Sequence, residues 1–83
     1  DVRFLMSQIE LREALEAIEA DKDELELDEF IEKISGKIKK NVDNISEAFN
    51  STQNKSQIKN MVRELKFYEQ LNLQAKQLLD EWI

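Results

Sequence analysis

The strongest constraint on this chain is the hydrophobic periodicity between residues 25 and 49. Apolar side chains recur there every three or four residues, at Leu27, Ile31, Ile34, Ile38, Val42, Ile45 and Phe49. This spacing places them on one side of an α-helix and is typical of a helix packed in a bundle. The chain has no Pro and one Gly, so it lacks the usual turn-forming residues of β-rich folds. The sequence therefore predicts an all-α fold.

Two further segments carry a helical pattern, one on each side of the first. The segment from about Val2 to Ala20 has a stripe formed by Phe4, Leu11, Leu15 and Ile18. The segment from about Lys55 to Trp82 has a stripe formed by Ile58, Met61, Leu65, Tyr68, Ala75, Leu79 and Trp82, interrupted by the polar Asn72. The helix between them is expected from about Leu25 to Phe49.

Short polar connections separate the three helices. Asp23 and Glu26 have the spacing of an N-terminal capping box, and Asn54 with Gln57 repeats that spacing before the third helix. Short connections make consecutive helices antiparallel neighbours. The sequence thus predicts an antiparallel three-helix bundle that forms a single domain over residues 1–83. Gly36, between two core positions, is expected to be an exposed glycine; the alternative is a close approach of another helix.

The first helix has more apolar residues than one core stripe uses. At about 100° per residue, Val2, Leu5, Met6 and Ile9 point away from the predicted stripe. Three interpretations are open: a partner docks on this second face, another part of a longer protein covers it, or it is scattered surface hydrophobicity. The charges beside it are either a polar rim of a docking site or an ordinary solvated helix face.

Phe67 is also hard to place on a single stripe. If Leu65 and Tyr68 face the core, Phe67 turns away from it. An exposed aromatic residue at that position is either a binding anchor or a cover for the edge of the bundle.

The composition speaks against several classes of function. With no His and no Cys, the chain lacks the commonest general base, the thiolate nucleophile and the commonest transition-metal ligands. We therefore expect no catalytic residue, no bound metal and no cofactor. The net charge of −6 disfavours nucleic acid and anionic membranes as partners, and the lysines of the second helix are read as a solvated face. No segment has the length of a membrane span.

The opening residues, from Phe4 to Glu16, read FLMSQIELREALE. They resemble the FLM-x-Q-L-E-L-R-E-x-L segment of HscB-type co-chaperones of iron–sulfur cluster assembly. Two more matches are in register, DEFI at 28–31 and VRELKF at 62–67 with Leu71. The resemblance spans essentially the whole chain and covers the C-terminal domain of that family.

The resemblance implies a module that binds the iron–sulfur scaffold protein (IscU-type) and helps deliver it to a specialised Hsp70 (HscA-type). In such proteins an N-terminal J-domain acts on the Hsp70; with no His-Pro-Asp loop in this sequence, we expect scaffold binding alone, in a piece of a longer protein. The scaffold-contact positions of the family correspond to Leu5, Met6, Ile9, Glu10, Arg12, Glu13 and Phe67.

The sequence departs from the family at two positions of the first helix. Ile9 stands where Leu is usual, which preserves volume. Ala17 stands where an acidic residue is frequent, so it is not placed in the site. A bacterial cytoplasm is the expected location, with the mitochondrial matrix as the eukaryotic alternative. A structural domain that self-associates through the second apolar face remains the competing interpretation of function.

Overall fold

Three α-helices make up nearly all of the structure, a computed structural model that describes residues 2–51 and 55–83. Helix α1 spans Val2–Asp21, α2 spans Glu24–Asn50 and α3 spans Lys55–Trp82. The predicted boundaries are therefore confirmed to within one residue. The proposed cap at Asn54 lies outside the described residues.

The helices pack as a bundle in which α2 runs opposite to α1 and α3. Asn72 of α3 donates a hydrogen bond to Ser35 of α2, near the middle of both helices. Phe4 at the start of α1 contacts Phe67, and Leu15 farther along lies beside Leu78 in a surface groove. The α2–α3 pair is the most extensive contact, and α1 packs more sparsely on it. The predicted three-helix bundle is confirmed.

The connection between α1 and α2 is a tight turn centred on Lys22. Its φ of 52° is left-handed, and its N–H donates to the carbonyl of Glu19. Asp23 then caps α2, because its side chain accepts a hydrogen bond of 3.1 Å from the N–H of Glu26. The cap satisfies one of the N–H groups that have no partner within the helix. This half of the predicted capping box is confirmed.

The core of α2 differs from the predicted stripe in its second half. Leu27 and Ile34 are fully buried as expected, but Val42 and Phe49 are 46% and 69% exposed. The remaining buried residues of this helix are Phe30, Asn41 and Ala48. The predicted burial of Val42 and Phe49 is wrong because α1 is shorter than the α2–α3 pair. The C-terminal part of α2 extends beyond the N-terminal end of α1. It packs against α3 alone there and buries a narrower face.

The core of α3 is wider than one stripe. Its buried residues are Phe67, Leu71, Asn72 and Ala75, whereas most of the predicted stripe is half-buried. Helix α3 faces two neighbours, so the arc that it hides from solvent includes residues directed at α1. Asn72 lies in this arc, with its Oδ1 unpaired among the described residues. A buried amide oxygen without a hydrogen bond makes the fold less stable than an apolar side chain at the same position would.

Gly36 lies on the solvent side of α2, as expected. A Cβ atom built at this position meets no atom within 4 Å, so no helix approaches it closely. A glycine inside a helix is less favourable than alanine because its backbone loses more freedom on folding.

We expect Gly36→Ala to raise the free energy of unfolding by about 1 kcal/mol, the difference in helix propensity between the two residues. Chemical denaturation followed by circular dichroism measures it. Lys40→Ala is the control, since Lys and Ala have similar propensities and Lys40 is also exposed on α2. An unchanged or lower value for Gly36→Ala would contradict the structure around this position.

Candidate functional site: the outer face of α1

The outer face of α1 is an exposed apolar patch. Leu5 and Met6 are each 56% exposed and Ile9 is 50% exposed, and Val2 extends the patch toward the start of the helix. The opposite side of α1 carries Leu11, Leu15 and Ile18 into the core. The helix therefore has two apolar sides, as predicted, and the bundle covers one of them. We call Val2, Leu5, Met6 and Ile9 the α1 patch.

Charged residues border the α1 patch on its C-terminal side. Glu10, Arg12 and Glu13 are all exposed. The guanidinium carbon of Arg12 lies 5.3 Å from the centre of the Phe67 ring, the geometry of a cation–π contact. This contact restrains Arg12 at the edge of the patch, whereas Glu10 and Glu13 extend from α1 toward solvent. The structure thus brings six of the seven predicted site residues to one exposed surface.

Phe67 is the exception, because it lies in the core. It is 6% exposed, so the expectation that it turns away from the core is wrong. The physical reason is that α3 packs against α1 as well as α2, and Phe67 faces α1. Phe67 contributes to the outer face of α1 indirectly, because the guanidinium of Arg12 packs on its ring.

An aromatic cluster fixes the start of α1 on α3. The ring of Phe4 meets the rings of Phe67 and Tyr68 edge-on, with centroids 5.8 Å and 6.2 Å apart. The rings of Phe67 and Tyr68 are 5.6 Å apart and tilted. Edge-to-face pairs add roughly 0.5–1.5 kcal/mol each to the burial of the rings. In the sequence, the signal for this cluster is Phe67, an aromatic residue off the predicted stripe of α3.

Tyr68 is the ionisable member of the cluster. Partial burial raises the pKa of its phenol, and the nearby carboxylate of Glu64 raises it further. A hydrogen bond with the Ser7 side chain acts in the opposite direction and lowers the pKa. A raised pKa corresponds to a phenolic proton that is held more tightly in the folded protein than in the unfolded chain.

The outer face shows neither a metal site nor a membrane segment. Across residues 2–51 and 55–83, no group of His, Cys, Asp and Glu side chains is arranged to hold a metal ion. In the same part of the chain, no helix is both long and apolar enough to cross a membrane. What the arrangement offers chemically is an apolar surface with a charged border, the composition of a protein-binding site.

Comparison with known protein families identifies the family of this chain. The family described as HSCB C-terminal oligomerisation domain matches residues 1–76, almost the whole chain. The chain belongs to the HscB C-terminal domain family. Domains of this family belong to co-chaperones of iron–sulfur cluster assembly and are non-catalytic in general. No solved structure matches the chain.

In this HscB-type domain we expect stability to fall as the pH rises above about 10, the ordinary pKa of tyrosine. Because the pKa of Tyr68 is raised in the folded state, the stability contributed by its protonated phenol is fully present below the unfolded pKa. That stability is lost as the pH rises through the folded pKa. In Tyr68→Phe the decrease in the free energy of unfolding between about pH 9 and about pH 11 should be smaller, since no phenol titrates.

Tyr68 is the one tyrosine in the sequence, so tyrosinate absorbance reports on it alone. The folded protein should titrate at higher pH than the denatured chain. Equal titration midpoints would contradict the burial of the Tyr68 phenol in the folded protein.

Proposed function

We propose that this domain binds the iron–sulfur cluster scaffold protein (IscU-type) through the outer face of α1. Exposure of the α1 patch is the single observation that carries the proposal. Exposed apolar side chains along one face of a helix form a recurrent protein-docking surface, because a partner that covers them removes apolar area from water. Membership of the HscB family supports the choice of the scaffold protein as the partner.

The charged border would set the orientation of the partner. Glu10 and Glu13 offer carboxylates to basic groups, and Arg12 offers a guanidinium to an acidic group or a carbonyl. Charges at the rim of an interface contribute more to orientation and association rate than to affinity. The role that we propose for Phe67 is to hold Arg12 in place, since its own ring is covered.

The proposed function of the whole protein is to deliver the scaffold to a specialised Hsp70 (HscA-type) for cluster transfer. Scaffold binding is the step that residues 1–83 would perform as one domain, and an attached J-domain would contact the Hsp70. A pull-down of that Hsp70 by this domain in the absence of scaffold would contradict this division.

The proposed location of the protein is a bacterial cytoplasm rather than a mitochondrial matrix. Fractionation of source cells tests this location.

We expect the triple variant Leu5→Ala, Met6→Ala, Ile9→Ala to lose at least about 100-fold in affinity for the scaffold protein, because truncating an anchor residue costs roughly 1–2 kcal/mol. Isothermal titration calorimetry measures the affinity. Circular dichroism should show an unchanged helix content, since all three residues are exposed and Ala favours helices.

The matched control removes three exposed apolar residues outside α1 and away from its neighbouring surface, with Val42→Ala, Phe49→Ala and Leu73→Ala. This control should bind as the unmodified domain does. Equal affinity of the α1 variant and the control would refute the docking face.

Self-association is the second candidate function. The family description names oligomerisation, and the exposed Val42 and Phe49 form a further apolar surface on α2. If this candidate holds, sedimentation across a concentration range should detect a dimer. A dimer lost in the α1 triple variant would assign the contact to α1, and one lost in Phe49→Ser would assign it to α2. A monomer at all concentrations excludes this function.

A further inference from the structure

A surface groove of about 340 Å³ runs between α1 and α2, beyond the charged border of the α1 patch. Ala14 and Ala17 of α1 form one wall, and their short side chains leave the space open. The floor is formed by Ile18 and Phe30, both of which are core residues. The rim carries the charged side chains of α2. The complete lining is Ala14, Ala17, Ile18, Glu26, Glu29, Phe30 and Lys33.

The groove continues the surface that we propose for scaffold binding. Ala17 follows Ile9 by eight residues, which corresponds to about 12 Å along a helix. Ala14 follows Glu10 by one turn on the same side of α1. A standard interface takes about 20–30 residues and about 800 Å² from each partner, far more than the α1 patch and its border supply. A footprint of that size centred on Leu5, Met6 and Ile9 reaches the groove.

The charges around the groove indicate what its occupant carries. Glu26 and Glu29 line it from α2, and Lys33 is its single cationic residue. Glu10 and Glu13 stand between the groove and the α1 patch, and both are exposed. The mouth is therefore acidic while the floor is apolar. An apolar side chain with a basic neighbour matches both features.

We propose that the scaffold protein inserts an apolar side chain, flanked by a lysine or arginine, into this groove, so that α2 forms part of the docking surface. The inference rests on the proposed function, and it adds a second helix and a specific chemistry to it. Ala17 matters here for its small size, which leaves room for the incoming side chain, and the acidic contact comes from Glu26 and Glu29 instead.

The test is to fill the groove with Ala17→Leu and measure the affinity for the IscU-type scaffold protein. We expect binding about tenfold weaker, because the new side chain occupies the space that the partner requires. Leu favours helices nearly as well as Ala, so the fold should persist, which circular dichroism checks. Ala20→Leu is the matched control: Ala20 is also exposed on α1, but it does not line the groove.

The acidic mouth is tested separately with Glu26→Gln combined with Glu29→Gln. We expect weaker binding by a few-fold at low salt and a smaller difference at high salt, as for screened charges. An unchanged affinity and salt dependence would contradict the proposed lysine or arginine of the partner at the groove mouth.

The outcomes separate this inference from the function on which it rests. If the α1 triple variant loses affinity while Ala17→Leu binds like Ala20→Leu or more tightly, the groove is not used and the docking face stands. If the triple variant also binds normally, both proposals fail. A loss in Ala17→Leu that Ala20→Leu does not share supports the occupied groove.

Discussion

The packing of the start of α1 against α3 is the contact on which the exposed surface depends. Helix α1 makes fewer contacts than the other two, and its first turn is fixed by the rings of Phe4, Phe67 and Tyr68. These rings hold one side of α1 on the bundle, and the opposite side is thereby directed to solvent. The α1 patch is exposed because the aromatic cluster, together with the buried Leu11, Leu15 and Ile18, determines how α1 is rotated about its own axis.

The same cluster connects the core to the charged border. Phe67 contacts Phe4 within the protein and Arg12 at its surface. A change that loosens the ring packing would therefore alter both the rotation of α1 and the position of Arg12. Residues that look purely structural can in this way influence a binding surface that they do not reach.

Much of the fold was predictable because the helical pattern is nearly uninterrupted. The boundaries of α2 and α3 follow from periodicity and from the cap at Asp23, and the two apolar sides of α1 follow from its angular distribution of side chains. The burial of Phe67 and the exposure of Phe49 did not follow, since both depend on the neighbours of each helix along its length. Periodicity gives the apolar side of a helix, but the width of the buried arc depends on tertiary packing. The groove beside Ala17 was likewise invisible in the sequence, because it is formed between two helices.

The hydrogen bond of the buried Asn72 has a consequence for the alignment of the helices. Asn41 and Asn72 are each 6% exposed in the contact between α2 and α3, and Asn72 has Ser35 as its hydrogen-bond partner. Sliding α3 along α2 by one turn would separate this pair and bring the amide against aliphatic side chains. A polar residue in a helical interface thus selects one longitudinal setting at the expense of stability. Because α1 packs on both α2 and α3, the alignment of those two helices also determines which residues of α2 lie beside the α1 patch and line the groove.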